Sequence, residues 1–298
     1  MADHQESAGA DPLDPLLPRQ IAEACERVGV TKAHLDLVSM LVLAGLAGAF
    51  ISLGAMLYTV TVTDAGLGLG PSRLLGGVAF SLGLILVVVA GAELFTGNSL
   101  VVMAWANRKV STLLLLRGWL VVYGGNFAGA LLTLLLVYAT EQWKIGDAAI
   151  GGTALRIANN KVNLDFGQAI ALGVLCNALV ALAVWLALSA RGVPGKAIAI
   201  VFPITAFVAA GFEHSIANMH FIPIGILLKN KESVQAAAGL TPSDLGDLTW
   251  ADFFVSNLLP VTIGNIIGGA LLVGAVYWFV YLRPRRQTSA DLQPPAHD

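Results

Sequence analysis

A helix must be roughly 20 residues long and almost free of charge to cross ~30 Å of hydrocarbon, and this sequence holds six candidates. The runs are Leu37 to Thr63, Leu74 to Ala92, Gly118 to Thr140 (with Val110 to Leu116 leading into it), Phe166 to Ala190, Ala197 to Phe212 and Phe253 to Leu282. Only 12% of the 298 residues are charged, against about 25% in a soluble domain, so a water-facing fold could not cover itself with polar surface. The expected class is therefore an all-α integral membrane protein of six transmembrane helices in the lipid bilayer. A net charge of −2 suggests no nucleic acid partner. Cys25 and Cys176 stand in unlike contexts with no metal-ligand spacing around them, so neither a disulfide nor a metal or other cofactor is expected.

The second and fifth runs are irregular. Each meets an acidic residue, Glu93 or Glu213, and then resumes as a shorter apolar stretch, Leu94 to Asn107 or Ser215 to Leu228. Sixteen helical residues from Ala197 to Phe212 would reach only ~24 Å, too little to cross alone. Helices 2 and 5 are therefore expected to be broken. The breaks share a skeleton: Gly91, Glu93 and Asn98 in Gly91-Ala92-Glu93-Leu94-Phe95-Thr96-Gly97-Asn98 fall where Gly211, Glu213 and Asn218 fall in Gly211-Phe212-Glu213-His214-Ser215-Ile216-Ala217-Asn218. A second echo follows, Gly125-Asn126-Phe127-Ala128-Gly129 against Gly264-Asn265-Ile266-Ile267-Gly268. Spans 1–3 and 4–6 thus read as two inverted three-helix repeats, since three crossings reverse direction. Inverted repeats with broken helices mark transport folds. Unwound backbone survives at membrane depth only where it lines a cavity or packs in protein, so two breaks meeting near the midplane could build a permeation path.

The division into regions follows. Residues 1–18, with Pro12, Pro15 and Pro18, are expected to be a disordered tail, 19–34 a cytoplasmic helix, 35–283 the six-helix channel domain and 284–298 a flexible tail. No signal peptide is expected, because no short basic segment precedes a short apolar core. Eleven of the 17 lysines and arginines, including Arg19, Lys32, Arg117 and Arg283, lie on one side of the spans, and six, including Arg73, Lys144 and Lys161, on the other. The richer side is expected in the cytoplasm with both termini.

At the two breaks the sequence resembles the formate–nitrite transporter family. Ala90 to Asn98 and Gly211 to Met219 carry the likeness, with Phe80-Ser81-Leu82-Gly83-Leu84 and Leu258 to Asn265 adding to it. The resemblance spans about Arg19 to Leu282. It implies an aquaporin-like protomer with its own pore, a homopentamer, and small monovalent weak-acid anions as substrates. Phe221-Ile222-Pro223-Ile224-Gly225 is closer to the formate branch than to the nitrite branch, whereas Thr96-Gly97-Asn98 departs from the enterobacterial formate channels. The prokaryotic plasma (inner) membrane is the implied location.

Candidate site residues follow from both arguments. His214 lies inside a break, and an ionisable group at membrane depth is functional by default; the resemblance makes it a pore-centre histidine that hydrogen-bonds the anion or relays a proton. The competing reading is a structural histidine bonded to the other break. His220, further round the next half-helix, is expected to pack. Glu93 and Glu213 are expected to be scaffolding that caps backbone N–H groups freed by the breaks, since two bare negative charges on the path would repel an anion. Gly91, Asn98, Gly211 and Asn218 belong to the same scaffold. Leu94, Phe95 and Thr96 are expected to form a gating loop, and the resemblance makes Thr96 a pore threonine. It also makes Lys161 the vestibule lysine and turns Asn177 toward the pore; the alternatives are a solvated loop lysine and an interhelical hydrogen bond. The resemblance places Phe80, Leu84 and Phe207 at a cytoplasmic-side hydrophobic constriction, where composition alone reads core or lipid-facing side chains. Asn126 and Asn265 are expected to be helix-packing features.

The reading is a passive, pH-dependent channel for a small weak-acid anion, formate first among them, with protons as co-substrate and no catalytic residues. Nitrite or hydrosulfide are alternatives within the family. An aquaporin-like neutral-solute channel is a further alternative, against which the missing Asn-Pro-Ala boxes count. An intramembrane enzyme built on Glu213 and His214 would need a nucleophile or metal cluster, and none stands at a recognisable spacing.

Overall fold

The computed structural model describes residues 14–284. Of the expected tails, 1–18 and 284–298, residues 1–13 and 285–298 lie outside the described residues. Residues 14–17, expected in the disordered tail, are tied to the end of the fourth span. Leu16 exchanges hydrogen bonds with Ser189, and Arg191 Nε donates to the Asp14 carbonyl.

Helix α1 spans Pro18–Ala33, with proline at its first position where no N–H is needed. The first span is α2, Leu37–Val62, started by Asp36, whose side chain accepts from Ser39 N–H at 3.0 Å. Next come α3 (Leu69–Gly91), the short α4 (Gly97–Ala106) and α5 (Thr112–Ala139). The second half begins with α6 (Ala149–Val162) and continues with α7 (Phe166–Ser189), α8 (Val193–Ala210), α9 (Ser215–Leu228) and α10 (Glu232–Ala238). It ends with α11 (Trp250–Leu282), parts of which widen to π-type turns. Six of these are long and apolar enough to cross a membrane, and the described residues contain no strand. Exposed Val38, Leu113, Leu120 and Phe202 are where water would be unfavourable and lipid or a neighbouring subunit is not.

The packing repeats itself. α2 packs on α3 and α5 as α7 packs on α8 and α11, and α1 lies on α4 as α6 lies on α9. Contacts between α3 and α8 join the halves. Close crossings depend on glycine: a Cβ on Gly129 would run into the Gly45 carbonyl of α2, and one on Gly268 into the Val174 carbonyl of α7. The α6 helix is additional to the six expected spans, since its polar residues keep it out of the charge-free runs. It is the counterpart of α1 on the opposite side. α1 also touches the end of α11, so both ends of the described chain share one side, here the α1 side. Glu26 of α1 accepts from Asn107 and Lys109 beyond α4, and Trp278 Nε1 of α11 donates to Asn107 Oδ1 at 2.6 Å.

Candidate functional site: two helix breaks between two cavities

The breaks are built by the glycines that mark them. The last turn of α3 loosens over Val87–Gly91, and Gly91 turns the chain at φ +84°. Gly211 does the same after α8 at φ +79°. Side chains other than glycine rarely adopt this region. Ala92 is extended, and the chain re-coils at Gly97 in the first break and at Ser215 in the second.

Backbone freed inside protein needs partners, and two asparagines supply them in matched fashion. Asn126 Oδ1 accepts from Phe95 N–H at 2.9 Å, while its Nδ2 donates to the Glu93 and Ala44 carbonyls at 2.8 Å each. Asn265 Oδ1 accepts from Ser215 N–H at 2.9 Å, while its Nδ2 donates to the Glu213 and Gly173 carbonyls at 3.0 and 2.8 Å. This corrects two expectations. The asparagines do more than pack helices, and the glutamate carboxylates cap no backbone N–H.

The carboxylates are occupied elsewhere. Glu213 accepts from Lys161 Nζ and from Asn218 Nδ2, both at 2.7 Å. Glu93 accepts from Lys32 Nζ at 3.0 Å and from Asn98 Nδ2 at 2.7 Å. Each break therefore carries one Lys–Glu–Asn cluster, and neither acid stands bare. The Lys161 side chain is only 15% exposed and its amine also lies 5.4 Å from the Phe221 ring centroid. It is not a solvated loop lysine; it is paired with Glu213 and largely buried. Lys32 is the partner that sequence reading missed. The signal was there, because Lys32 and Lys161 are separated by the same interval as Ala44 and Gly173, which bind the two asparagines.

The breaks meet through Thr96 and His214. Thr96 Oγ1 and His214 Nε2 lie 2.9 Å apart, and both residues are buried. His214 also caps α9, its Nδ1 accepting from Ala217 N–H at 3.1 Å. A nitrogen that accepts carries no hydrogen, so in this arrangement the ring is uncharged with its proton on Nε2. Nε2–H then donates to Thr96 Oγ1, which leaves the threonine hydroxyl hydrogen to point elsewhere. Ser99 Oγ donates to the Thr96 carbonyl at 2.7 Å.

A cavity opens on either side. The α1-side cavity, about 560 Å³, is lined by Lys32, Leu84, Glu93, Leu94, Asn98 and Lys196 among others. The far-side cavity, about 270 Å³, is lined by Arg73, Phe80, Lys161, Phe207, Glu213 and His214 among others. The structure thus divides the expected single constriction. Leu84 faces the α1 side, whereas Phe80 and Phe207 pack edge to face at 5.8 Å between ring centroids in the far-side cavity. One turn of α3 separates Phe80 from Leu84 on the same face, so the two side chains stand one above the other. Phe207 also lies 6.0 Å from the His214 ring.

Three residues are placed away from the cavities. Phe95 packs against Trp119 and Tyr123, at 6.2 and 4.9 Å between centroids, while its neighbour Leu94 lines the α1-side cavity. Asn177 donates from Nδ2 to the Asn265 carbonyl at 2.6 Å, the interhelical hydrogen bond given as its alternative, with its Oδ1 unpartnered among the described residues. His220 Nδ1 lies 2.6 Å from Ser52 Oγ, in packing between α9 and α2.

Known proteins match this chain over almost all its length. A family model described as "Formate/nitrite transporter" matches residues 19–279. The formate channel FocA of Escherichia coli (strain K12) is 44% identical over 92% of this chain and 97% of its own. The uncharacterized transporter YrhG of Bacillus subtilis (strain 168) is 40% identical over 90% of this chain and 95% of its own. Among solved structures, a pentameric formate channel with formate bound superposes with a TM-score of 0.77 at 43% identity, covering 83% of this chain and 98% of that one. An FNT family ion channel gives a TM-score of 0.73 at 27% identity over 87% of this chain and 98% of that one. With its broken helices, matched Lys–Glu–Asn clusters and near full-length likeness to these relatives, the chain belongs to the formate/nitrite transporter family.

Proposed function

We propose that the protein is a passive channel for formate, working as a homopentamer in a prokaryotic plasma membrane with both termini in the cytoplasm. The observation that carries this reading is that two cavities approach the paired helix breaks from opposite sides, with the Thr96–His214 hydrogen bond between them. The 44% identity with a protein named as a formate channel supports formate as the substrate, and the pentameric neighbour supports the assembly.

The chemistry is that of a small acid crossing a dry gap. The paired Lys32–Glu93 and Lys161–Glu213 keep each vestibule free of an unpaired carboxylate on the path. An anion arriving at the gap meets the Thr96 hydroxyl as a hydrogen-bond donor. Moving a bare charge past Phe80, Phe207, Leu84 and Leu94 is costly, so low dielectric favours the acid form: formate takes a proton from water in the entry cavity, crosses uncharged and gives the proton back to water in the opposite cavity. His214 acts as a neutral hydrogen-bond donor rather than as the proton carrier. To take a second proton it would have to surrender its cap on Ala217 N–H.

The test is flux into liposomes holding the pure protein, with no energy source. Formate, nitrite, hydrosulfide and glycerol are compared one at a time. Formate uptake above that of protein-free liposomes, with none for glycerol, supports the reading. Glycerol uptake without formate uptake would make it a neutral-solute channel, and nitrite or hydrosulfide outrunning formate would change the substrate and keep the family.

A further inference from the structure

We propose that Arg73 is a second anion-drawing cation of the far-side cavity, beside the Lys161–Glu213 pair. The inference rests on the anion-channel reading above and deepens it by naming a residue.

The far-side cavity has three charged side chains in its wall, Arg73, Lys161 and Glu213. Lys161 and Glu213 form an ion pair at 2.7 Å with side chains 15% and 5% exposed. At that range their charges largely cancel for anything further away, and what remains of the pair is a dipole. Arg73 makes no ion pair among the described residues; its Nη1 donates to a neutral group, the Ala209 carbonyl, at 3.2 Å. The cavity therefore carries one uncompensated positive charge, and it sits on the guanidinium.

Its position suits that task. Arg73 is exposed, so it acts on ions before they lose water. Both terminal nitrogens stand over Gly211, 3.6 Å from where a Cβ would be. The Ala209 contact uses one nitrogen of a planar fork that has five N–H donors. The remaining donors match the two oxygens of a carboxylate. The bond to Ala209 O also pins the charge near the end of α8 and the second break, one wall away from His214. A fixed charge beside a low-dielectric wall raises the local concentration of counter-ions, and salt screens it.

The measurement is formate uptake in proteoliposomes at low and high ionic strength, for wild type, Arg73→Lys, Arg73→Gln and Arg73→Glu, each checked for thermal unfolding and pentamer size in detergent. The proposal expects Arg73→Gln to raise the formate concentration for half-maximal flux by roughly tenfold at low salt and to lose most of the salt dependence. Arg73→Lys should keep the salt dependence and fall between wild type and Arg73→Gln, because it retains the charge and loses the fork, and Arg73→Glu should fall below Arg73→Gln. Flux at saturating formate should change little. Formate flux in wild type with an unchanged salt profile in Arg73→Gln overturns the role of Arg73 alone. A loss in Arg73→Lys equal to that in Arg73→Gln makes the Ala209 contact, not the charge, the reason for the residue, and also overturns it. No formate flux in wild type overturns the anion-channel reading itself.

Discussion

Thr96 Oγ1 and His214 Nε2 meet at 2.9 Å, and through them the break in one repeat is bonded to the break in the other. The contact joins residues on different half-helices, each fixed by its own asparagine and its own Lys–Glu pair. A pore built this way needs no flexible lid to define its narrowest point. The narrow point follows from two turns that only glycine accommodates well.

Because His214 is both the N-cap of α9 and the donor to Thr96, its substitutions should separate fold from flux. His214→Asn keeps a good capping side chain and should unfold within a few degrees of wild type. His214→Ala loses the cap and about 1 kcal/mol. Both should lower formate flux, because neither reaches Thr96. Thermal unfolding in detergent beside proteoliposome flux checks the separation.

The two glutamates should differ in what they tolerate. Glu213→Gln strips a charge partner from Lys161, which is 15% exposed, and should cost about 3–5 kcal/mol, the range for breaking a buried pair. Glu93→Gln should cost less. Lys32 is 28% exposed and retains Asn98 Oδ1 at 2.9 Å. Adding Lys161→Met to Glu213→Gln should recover much of the loss. Unfolding midpoints of the three variants read this out.

Much of the scaffold was legible because it is repeated. Gly91 and Gly211 marked where the chain could turn, and the Glu and Asn echoes marked two matched breaks. The asparagines on α5 and α11 were visible as an echo, but their task was not, since it depends on carbonyls of α2 and α7 far away in the chain. Lys32 was hidden for a related reason. It sits on α1, outside the spans, and only the fold brings it to Glu93. Periodicity could not assign Leu94 and Phe95 either, because an unwound stretch has no face. One turns to the cavity and the other into Trp119 and Tyr123. The spacing of Phe80 and Leu84 did show a shared helix face. It could not show that the two side chains line different cavities, Leu84 on the α1 side and Phe80 on the far side.

The helix crossings should be intolerant of a single methyl group. Gly129→Ala places a Cβ against the Gly45 carbonyl, and no rotamer can relieve a clash with backbone. Overpacking of this kind costs about 1–3 kcal/mol or more. Gly118→Ala on the same helix meets nothing within 4 Å and should be neutral or slightly stabilising. Pentamer yield after purification distinguishes the two.

Cys25 should report whether α1 stays docked. The thiol is buried against the α1-side cavity wall, and burial pushes its pKa up to about 12. The reactive thiolate is accordingly scarce from pH 6 to 9. A maleimide should label Cys25 slowly in the folded protein. Glu26→Gln weakens the hold on Lys109 and Asn107 and should speed labelling several-fold at the same pH. Labelling as slow as in wild type would mean that Glu26 does not hold α1 down.

The central claim is that the acid crosses with its own proton while His214 stays a neutral donor. Formate influx at fixed total formate should be measured from pH 5 to 8, with protein-free liposomes subtracted, for wild type and His214→Asn. Both profiles should rise as the pH falls and run parallel, the variant lower throughout. A profile that rises in wild type and is flat in His214→Asn would make His214 the proton carrier and contradict the account.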